Sequence, residues 1–182
     1  MAVDAAARVM LRPILTQADR ASVMHLRRGP GQEAYLGSMA SHFEDAEADP
    51  QAMPRMWAVH DADAPDLVVG FAMISNGIPA ATLAEDAELV GPYFLWRLLI
   101  DEAWQGRGYG RATIDAIVEY LRVRPDAEVL WTSCKDGAGS PQPFYLRYGF
   151  EKTGTVKWGE DLLRLDLATR GLPPQAPDGE RA

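Results

Sequence analysis

Three glycines separated by single residues, Gly106, Gly108 and Gly110, are the part of this sequence whose residue types and spacing could bind an anion. Apolar residues then recur at helical spacing, at Ile114, Ile117, Val118 and Leu121. A glycine turn that enters a helix presents unpaired backbone N–H groups at the positive end of the helix dipole, which is suited to a phosphate or pyrophosphate. Glycines also serve as plain tight turns, so the loop alone leaves a structural role open.

The spacing of the glycines narrows the choice of ligand. Arg111 stands where a dinucleotide-binding GxGxxG motif needs its third glycine, and no acidic residue ends a following strand as that motif requires. A P-loop is excluded because no Gly-Lys-Ser/Thr occurs in the chain. The loop instead fits the pattern Q/R-x-x-G-x-G/A, through Gln105, Gly108 and Gly110, with Arg107 and Arg111 adding two positive charges.

Two strands must position this loop. Residues 94–100 form an almost continuous apolar run, interrupted by Arg97, which predicts a strand buried on both faces. Pro125 ends the helical pattern, and residues 127–132 predict a second strand, parallel to the first. A right-handed crossover places the helix over one face of the sheet and the loop at the carboxyl end of the first strand, where ligands of such sheets bind.

Together with the downstream motif SPQPFYLRYGF, these features resemble the GNAT superfamily of acyl-CoA-dependent N-acetyltransferases over about residues 8 to 168. The run WRLLIDEAWQGRGYGRA is most similar to bacterial diamine and spermine/spermidine acetyltransferases. The resemblance implies an α/β (α+β) fold with a mixed, mostly antiparallel sheet of six to seven strands and about four flanking helices. In that fold the central parallel strands splay apart after a bulge in the first, and the acyl-CoA arm enters the gap.

The resemblance also implies the chemistry, which is direct transfer of an acetyl group from the co-substrate acetyl-CoA to a primary amine in a ternary complex, without a metal. It implies that Tyr145, in a Tyr-x-x-x-Gly-Phe context, protonates the departing thiolate; the alternative is a buried aromatic residue that anchors its helix. The residues implied for acetyl-CoA binding are Leu98, Leu99, Ile100, Gln105, Gly106, Arg107, Gly108, Tyr109, Gly110, Arg111 and Ser140.

The general base is not evident from the pattern. Some polyamine acetyltransferases carry a glutamate on the central strand, where this chain has Trp96 and Arg97. An amine must lose a proton before it attacks a thioester, so a carboxylate or a water chain leading to one is needed. Glu33 and Glu44 are the candidates, on a predicted helix pair that borders the acceptor site.

One residue of the CoA site departs from the pattern of the relatives, and three functional alternatives stay open. The asparagine that many relatives carry seven residues before the tyrosine is replaced by Ala138, so Ser140 becomes the candidate for that CoA contact. This change and the missing strand carboxylate leave room for a non-catalytic acyl-CoA-binding sensor, which the presence of Tyr145 disfavours. Protein N-terminal and aminoglycoside-type acetyltransferases are the alternatives within the enzyme class, and a polyamine-like small molecule is the favoured acceptor.

The composition limits which classes of partner and which domain organisation we expect. With 26 acidic and 18 basic side chains, the formal charge of −8 argues against a nucleic-acid partner and mildly favours cationic substrates. Glu85, Asp86 and Glu88 form a tight acidic group that could overhang the acceptor site or be a solvated loop. We expect one domain over residues 1–168 and a flexible tail over residues 169–182, which are rich in proline, glycine and charge.

The expected compartment is the cytoplasm. No apolar run approaches the roughly 20 residues that span a bilayer, and MAVDAAARVM lacks a signal-peptide pattern, so no membrane partner is expected. Cys134 is the single cysteine and is expected to be buried or half-buried, and the three histidines lack metal-ligand spacing. The resemblance leaves both a monomer and a homodimer open.

The rest of the chain predicts further strands and helices. Strands are expected at residues 8–14, 55–61, 67–75, 151–155 and 161–167, with a turn at Trp158 and Gly159. Helices are expected at residues 18–27 and 33–48, and a short one is expected to end at Gly149. Residues 76–91 are predicted to be less regular.

Overall fold

The computed structural model describes residues 7 to 168, so the predicted tail at residues 169–182 lies outside the described residues. Along the chain the strands and α-helices are β1 (Val9–Pro13), α1 (Gln17–Val23), α2 (Met39–Ala48), β2 (Pro54–Asp61), β3 (Val68–Asn76), α3 (Ala80–Glu85), β4 (Tyr93–Ile100), α4 (Tyr109–Arg122), β5 (Val129–Cys134), α5 (Gln142–Tyr148), β6 (Glu151–Lys157) and β7 (Glu160–Asp166). Short 3-10 turns lie at Gln32–Ala34, Pro50–Ala52 and Glu102–Trp104.

The seven strands form one sheet in the order β1-β2-β3-β4-β5-β7-β6. Neighbouring strands are antiparallel except for β4 and β5, which are parallel. This confirms the predicted fold class, and the described residues hold five α-helices where about four were expected. The additional helix is α3, within the stretch that was predicted to be less regular.

The predicted helix pair is shorter and more broken than expected. α1 is capped by Thr16, whose hydroxyl accepts from the backbone N–H of Asp19, and it ends at Val23. The predicted helix at residues 33–48 is divided into a 3-10 turn and α2. The break occurs because Ser38 caps α2, with its hydroxyl accepting from the backbone N–H of Ser41 at 3.1 Å.

Two apolar cores hold the helices against the sheet. On one face α4 buries Ile114, Ile117 and Leu121 completely, and each such side chain contributes about 1.5 to 3 kcal/mol relative to an exposed one. α5 packs in the same core. On the opposite face α1 and α2 cover β3 and part of β4, around Phe71 and Met73. The sheet is therefore covered on both faces around β4, as the apolar run of that strand predicts.

Candidate active site

The parallel strands β4 and β5 are joined over a short distance and then separate. Their backbones pair at Phe94 with Trp131 and at Leu95 with Thr132. On the other side of β4 the register with β3 shifts between Met73 and Ile74, and this shift leaves Trp96 as an extra residue in β4. The bulge followed by a gap is the arrangement that the family resemblance implied.

The far half of β4 has one edge paired and one edge open. The backbone N–H of Asp101 donates to Val69 of β3 at 2.9 Å, while the carbonyl of Ile100 accepts from the Gln105 side chain at 2.8 Å. Because backbone groups alternate along a strand, those of Leu98 and Ile100 face the gap and those of Leu99 face β3. Of the three strand residues predicted to bind acyl-CoA through the backbone, Leu98 and Ile100 thus have the suitable orientation.

The glycine loop leads directly into α4. Gly106 and Gly108 have φ of +75° and +88°, in the left-handed region that favours glycine. Gly108 is the N-terminal cap of α4, and no side chain caps that end. A Cβ at Gly110 would lie 3.2 Å from the Phe144 ring. The first turn of a 14-residue helix therefore presents backbone N–H groups beside the open edge of β4, which suits a diphosphate.

The polar residues around the loop have separate roles. Gln105 also donates to the Gln32 side chain at 2.9 Å, which ties the loop to the segment before α2. The Tyr109 hydroxyl donates to Asp61 of β2, and this hydrogen bond raises the pKa of Tyr109 to about 12. The Arg107 guanidinium lies 4.7 Å from the centre of the Trp104 ring.

A cavity of about 450 Å³ extends from this loop through the gap. Most of the residues predicted from the sequence line it: Leu98, Leu99, Ile100, Gln105, Gly106, Gly108, Tyr109, Gly110, Arg111, Ser140 and Tyr145. Arg107 is predicted as a binding residue but is not part of the lining. The volume lies within the range of small-molecule and cofactor sites.

Tyr145 lines this cavity from α5. Its side chain is 6% exposed, and its ring centre lies 5.4 Å from that of Phe144 and 5.3 Å from that of Phe150. Burial raises the pKa of Tyr145, and the proximity of Cys134 adds to the effect. The phenol therefore stays protonated at neutral pH and can donate a proton.

Hydrogen bonds hold the loop before α5 in place beside the cavity. The Ser140 hydroxyl donates to the Lys135 carbonyl at 2.5 Å and accepts from the backbone N–H of Gln142 at 3.0 Å. The Tyr35 hydroxyl donates to the Ala138 carbonyl at 2.9 Å. Tyr35, from the segment between α1 and α2, therefore covers this loop.

The two carboxylates that the sequence suggested as general bases lie elsewhere. Glu33 and Glu44 are both exposed, and neither lines the cavity. Among the described residues that do line it, the single carboxylate is Glu160, which accepts from the Ser133 hydroxyl at 2.6 Å. Sequence analysis missed Glu160 because nothing in the sequence fixes which residue of β7 pairs beside the end of β5.

Arg97, just after the bulge, also lines the cavity and is anchored on α2. Its guanidinium donates to the Asp45 carboxylate at 2.8 Å and to Nδ1 of His42 at 3.2 Å. Burial of His42, together with the charge of Arg97, lowers the pKa of His42 to about 4. His42 is therefore neutral at physiological pH, with its proton on Nε2.

One member of the acidic group, Glu88, is linked through Trp158 to a residue that lines the cavity. Trp158, in the turn between β6 and β7, is 48% exposed, and its indole N–H donates to the Glu88 carboxylate at 2.5 Å. The ring centre of Trp158 lies 6.0 Å from that of Phe94, which lines the cavity. Glu88, the Trp158 indole and Phe94 thus form a chain of contacts, called the rim below, of which Phe94 lines the cavity.

Within residues 7–168, no helix combines the length and apolar character needed to cross a membrane. The same residues bring together no cluster of three or more histidine, cysteine or carboxylate side chains that could hold a metal. Cys134 is buried, as predicted, and burial raises the pKa of its thiol to about 11.

Comparison with known proteins places the chain in a family. Residues 54–152 match the family model described as an acetyltransferase (GNAT) domain. The spermine/spermidine N(1)-acetyltransferase of Bacillus subtilis (strain 168) is 25% identical over 154 residues, which cover 84% of this chain and 95% of that protein.

Solved structures share the fold. The aminoglycoside acetyltransferase AAC(6')-Ib in complex with coenzyme A superposes with a TM-score of 0.64 at 19% identity, covering 87% of this chain and 94% of that one. The spermidine N-acetyltransferase of Vibrio cholerae in complex with CoA and spermine has a TM-score of 0.54 at 16% identity, covering 86% and 93%. With the family match, the splayed strands and the glycine loop, the chain belongs to the GNAT family and is an acetyl-CoA-dependent N-acetyltransferase.

Proposed function

We propose that this enzyme acetylates a primary amine of a small molecule, with a polyamine-like acceptor favoured. The observation that carries the proposal is the rim of Glu88, Trp158 and Phe94, which joins an acidic group to the cavity. An acidic surface attracts a polycation, and aromatic faces bind ammonium groups and alkyl chains. The similarity to the Bacillus subtilis enzyme supports the same substrate class.

The residues around the gap would divide the task of holding acetyl-CoA, which supplies the acetyl group as an activated thioester. The N–H groups at the start of α4 would bind the diphosphate, and Arg111 would add a positive charge. Leu98 would align the acyl arm through its gap-facing backbone. These residues fit the co-substrate because the loop glycines leave the cradle open and the strand edge beyond Leu95 is not paired with β5.

Tyr145 would act as the general acid. In direct transfer the amine nitrogen forms a bond to the acetyl carbon, the carbon–sulfur bond breaks, and the electron pair goes to sulfur, which takes a proton from the Tyr145 hydroxyl. The buried, protonated phenol suits this role. An acetyl-cysteine intermediate is disfavoured, because the raised pKa keeps the Cys134 thiol protonated at neutral pH.

An aminoglycoside-type acceptor is the second candidate, since AAC(6')-Ib shares the fold and an amino sugar with several ammonium groups would also be attracted by the acidic rim. The third candidate acceptor is the N-terminal amine of a protein. The rim favours a flexible polyamine chain over a folded protein. The hydrogen bond between Trp158 and Glu88 keeps the rim close to the cavity, and a thin flexible chain fits that space more readily than a folded surface does.

The test is a free-thiol release assay with acetyl-CoA and a panel of spermidine, spermine, diamines, aminoglycosides and short peptides. We expect turnover with the polyamines and diamines and a higher KM for monoamines. Turnover confined to aminoglycosides or to peptides would contradict the favoured acceptor, and binding of CoA without turnover of any amine would contradict amine acetylation.

A further inference from the structure

We infer that Glu160 is the general base that takes the proton from the acceptor ammonium, and that Ser133 is the positioning residue that holds its carboxylate. The inference rests on the proposed function, because it assigns a residue to the acetylation of an amine. Glu160 lies on β7, outside every motif by which the sequence resembles its family, so the resemblance assigns it no role.

The topology of the sheet brings Glu160 to the gap. β7 runs antiparallel to β5, and Asp161 pairs with Cys134 at the last residue of β5. Glu160 precedes that pair, so it lies at the carboxyl end of β5, where β5 has already separated from β4. The Ser133 hydroxyl donates to Glu160 Oε2 at 2.6 Å, which fixes the carboxylate against β5.

The hairpin that carries Glu160 also carries Trp158 of the rim. Trp158 comes two residues before Glu160 in the same hairpin, and its ring contacts Phe94. An ammonium group held at Glu88 and the Trp158 ring would therefore be close to the hairpin residue Glu160, which lines the cavity. A half-buried carboxylate in this position can attract the cation and then accept its proton.

Glu160 is also electrostatically coupled to Tyr145 and Cys134, which line the same cavity. Its negative charge is one of the causes that raise the pKa of Tyr145 and the pKa of Cys134. The general acid and the carboxylate therefore lie within electrostatic range of one another and line the same cavity. A proton donor and a carboxylate in one cavity are the two groups that acid–base catalysis of this transfer needs.

The other carboxylates near the site are engaged elsewhere. Asp45 is paired with Arg97 at 2.8 Å on the α2 side. Asp161 accepts from Lys152 at 2.8 Å and from Gln142 at 2.9 Å, which ties it to the hairpin and to α5. Among the residues that the structure describes, Glu160 is thus the one carboxylate with access to the cavity.

The step balances in protons and electrons. The ammonium gives one proton to Glu160, and the freed nitrogen lone pair forms the bond to the acetyl carbon as the carbon–sulfur bond breaks. Tyr145 gives a proton to sulfur, and the second proton lost by the nitrogen as the amide forms restores Tyr145. Glu160 releases its proton to solvent, so each turnover yields an acetylated amine, a free thiol and one proton.

The experiment compares Glu160→Gln with Glu44→Gln, the exposed carboxylate that the sequence suggested. We expect Glu160→Gln to lower kcat for spermidine about 100-fold, the usual contribution of a general base. CoA affinity measured by calorimetry and the melting temperature should stay near the wild-type values. Glu44→Gln should leave kcat unchanged.

Ser133→Ala tests the positioning role by the separate responses of kcat and KM. Removing the hydroxyl that donates to Glu160 should lower kcat for spermidine while CoA affinity stays near the wild-type value, and Ser133→Thr, which keeps a hydroxyl, should restore kcat. Equal kcat in the alanine and threonine variants would contradict the positioning role. Wild-type kcat in Glu160→Gln, or a loss that follows a fall in CoA affinity, would overturn the inference while amine acetylation stands. A wild-type enzyme that acetylates no amine would overturn the proposed function and this inference together.

Discussion

Leu95 and Thr132 form the last backbone pair between the parallel strands β4 and β5, and the Thr132 hydroxyl reinforces it by donating to the Leu95 carbonyl at 3.0 Å. Beyond this pair β4 bulges at Trp96 and the strands separate. The pair therefore sets the depth of the gap. Thr132 and Tyr145 both line the cavity, so the proposed general acid shares that cavity with the residue that closes the gap.

Tyr145→Phe removes the hydroxyl and keeps the ring packed between Phe144 and Phe150. We expect kcat to fall about 100-fold or more, because a general acid contributes that much, while CoA affinity changes little. Tyr148→Phe is the matched control, since Tyr148 is buried on the same helix and its hydroxyl donates to Asp115 on α4. The free-thiol release assay at saturating acetyl-CoA measures kcat for both variants. Equal kcat in the two variants would argue against the role of Tyr145.

Gly108→Val tests the anion site at the start of α4. Gly108 has a φ of +88°, so a valine costs about 1 to 3 kcal/mol in backbone strain and also projects a side chain at the loop. Gly154→Val is the control, because Gly154 has a φ of +80° and open space around it, far from the loop in sequence and on the edge strand β6. Both variants should lose similar stability in denaturant unfolding, and only Gly108→Val should lose CoA binding by calorimetry. Loss of CoA affinity in both variants would show that backbone strain, and not the position of Gly108 in the anion site, removes CoA binding.

His42 makes stability depend on pH. Its pKa is lowered from 6.5 to about 4 by burial and by Arg97, so the unfolded state binds a proton that the folded state does not. The contribution of neutral His42 to the free energy of unfolding is therefore fully present above pH 6.5 and is lost as the pH falls toward 4. At pH 5 the loss from this residue is about 2 kcal/mol. His42→Gln keeps an acceptor for Arg97 and removes the titration. The free energy of unfolding, measured with urea at pH 5 and above pH 6.5, should differ less between the two conditions in His42→Gln than in the wild type. An equal difference in both proteins would contradict the account.

Much of the fold follows from local patterns, because the apolar runs and the glycine and proline positions are consistent with the observed strands. The break between residues 34 and 39 was missed because helical signals continue through it. In the structure a Cβ at Gly37 would lie 2.3 Å from the Ser41 hydroxyl, so this glycine permits a close approach that the pattern does not reveal. α3 was missed because six residues give too little periodicity to detect.

The site was predictable to the extent that it is local in sequence. The glycine loop, β4 and Tyr145 lie in contiguous motifs, and the structure brings them to one cavity. Arg107 was expected beside them, but its guanidinium packs over Trp104, and of these two residues Trp104 is the one that lines the cavity. Glu160 depends on the register between β5 and β7, which arises from tertiary pairing and has no local sequence signal.

Glu88→Gln tests the acidic rim. Removing one exposed charge near the proposed entrance should raise KM for spermidine up to about fivefold at low salt, in line with the strength of exposed ion pairs, and leave kcat unchanged. Glu128→Gln is the control, since Glu128 is exposed and precedes β5 at the end away from the gap. Initial rates at low and high salt measure the effect. Equal KM values for both variants would show that the rim does not attract the acceptor.

The crystal structure of the enzyme with CoA bound tests the central claim most directly. We predict that the diphosphate contacts the backbone of Gly106, Gly108 and Gly110, that the acyl arm lies between β4 and β5 past Leu95, and that the sulfur lies beside the Tyr145 hydroxyl. CoA bound outside the gap, or with its sulfur directed away from Tyr145, would contradict the account.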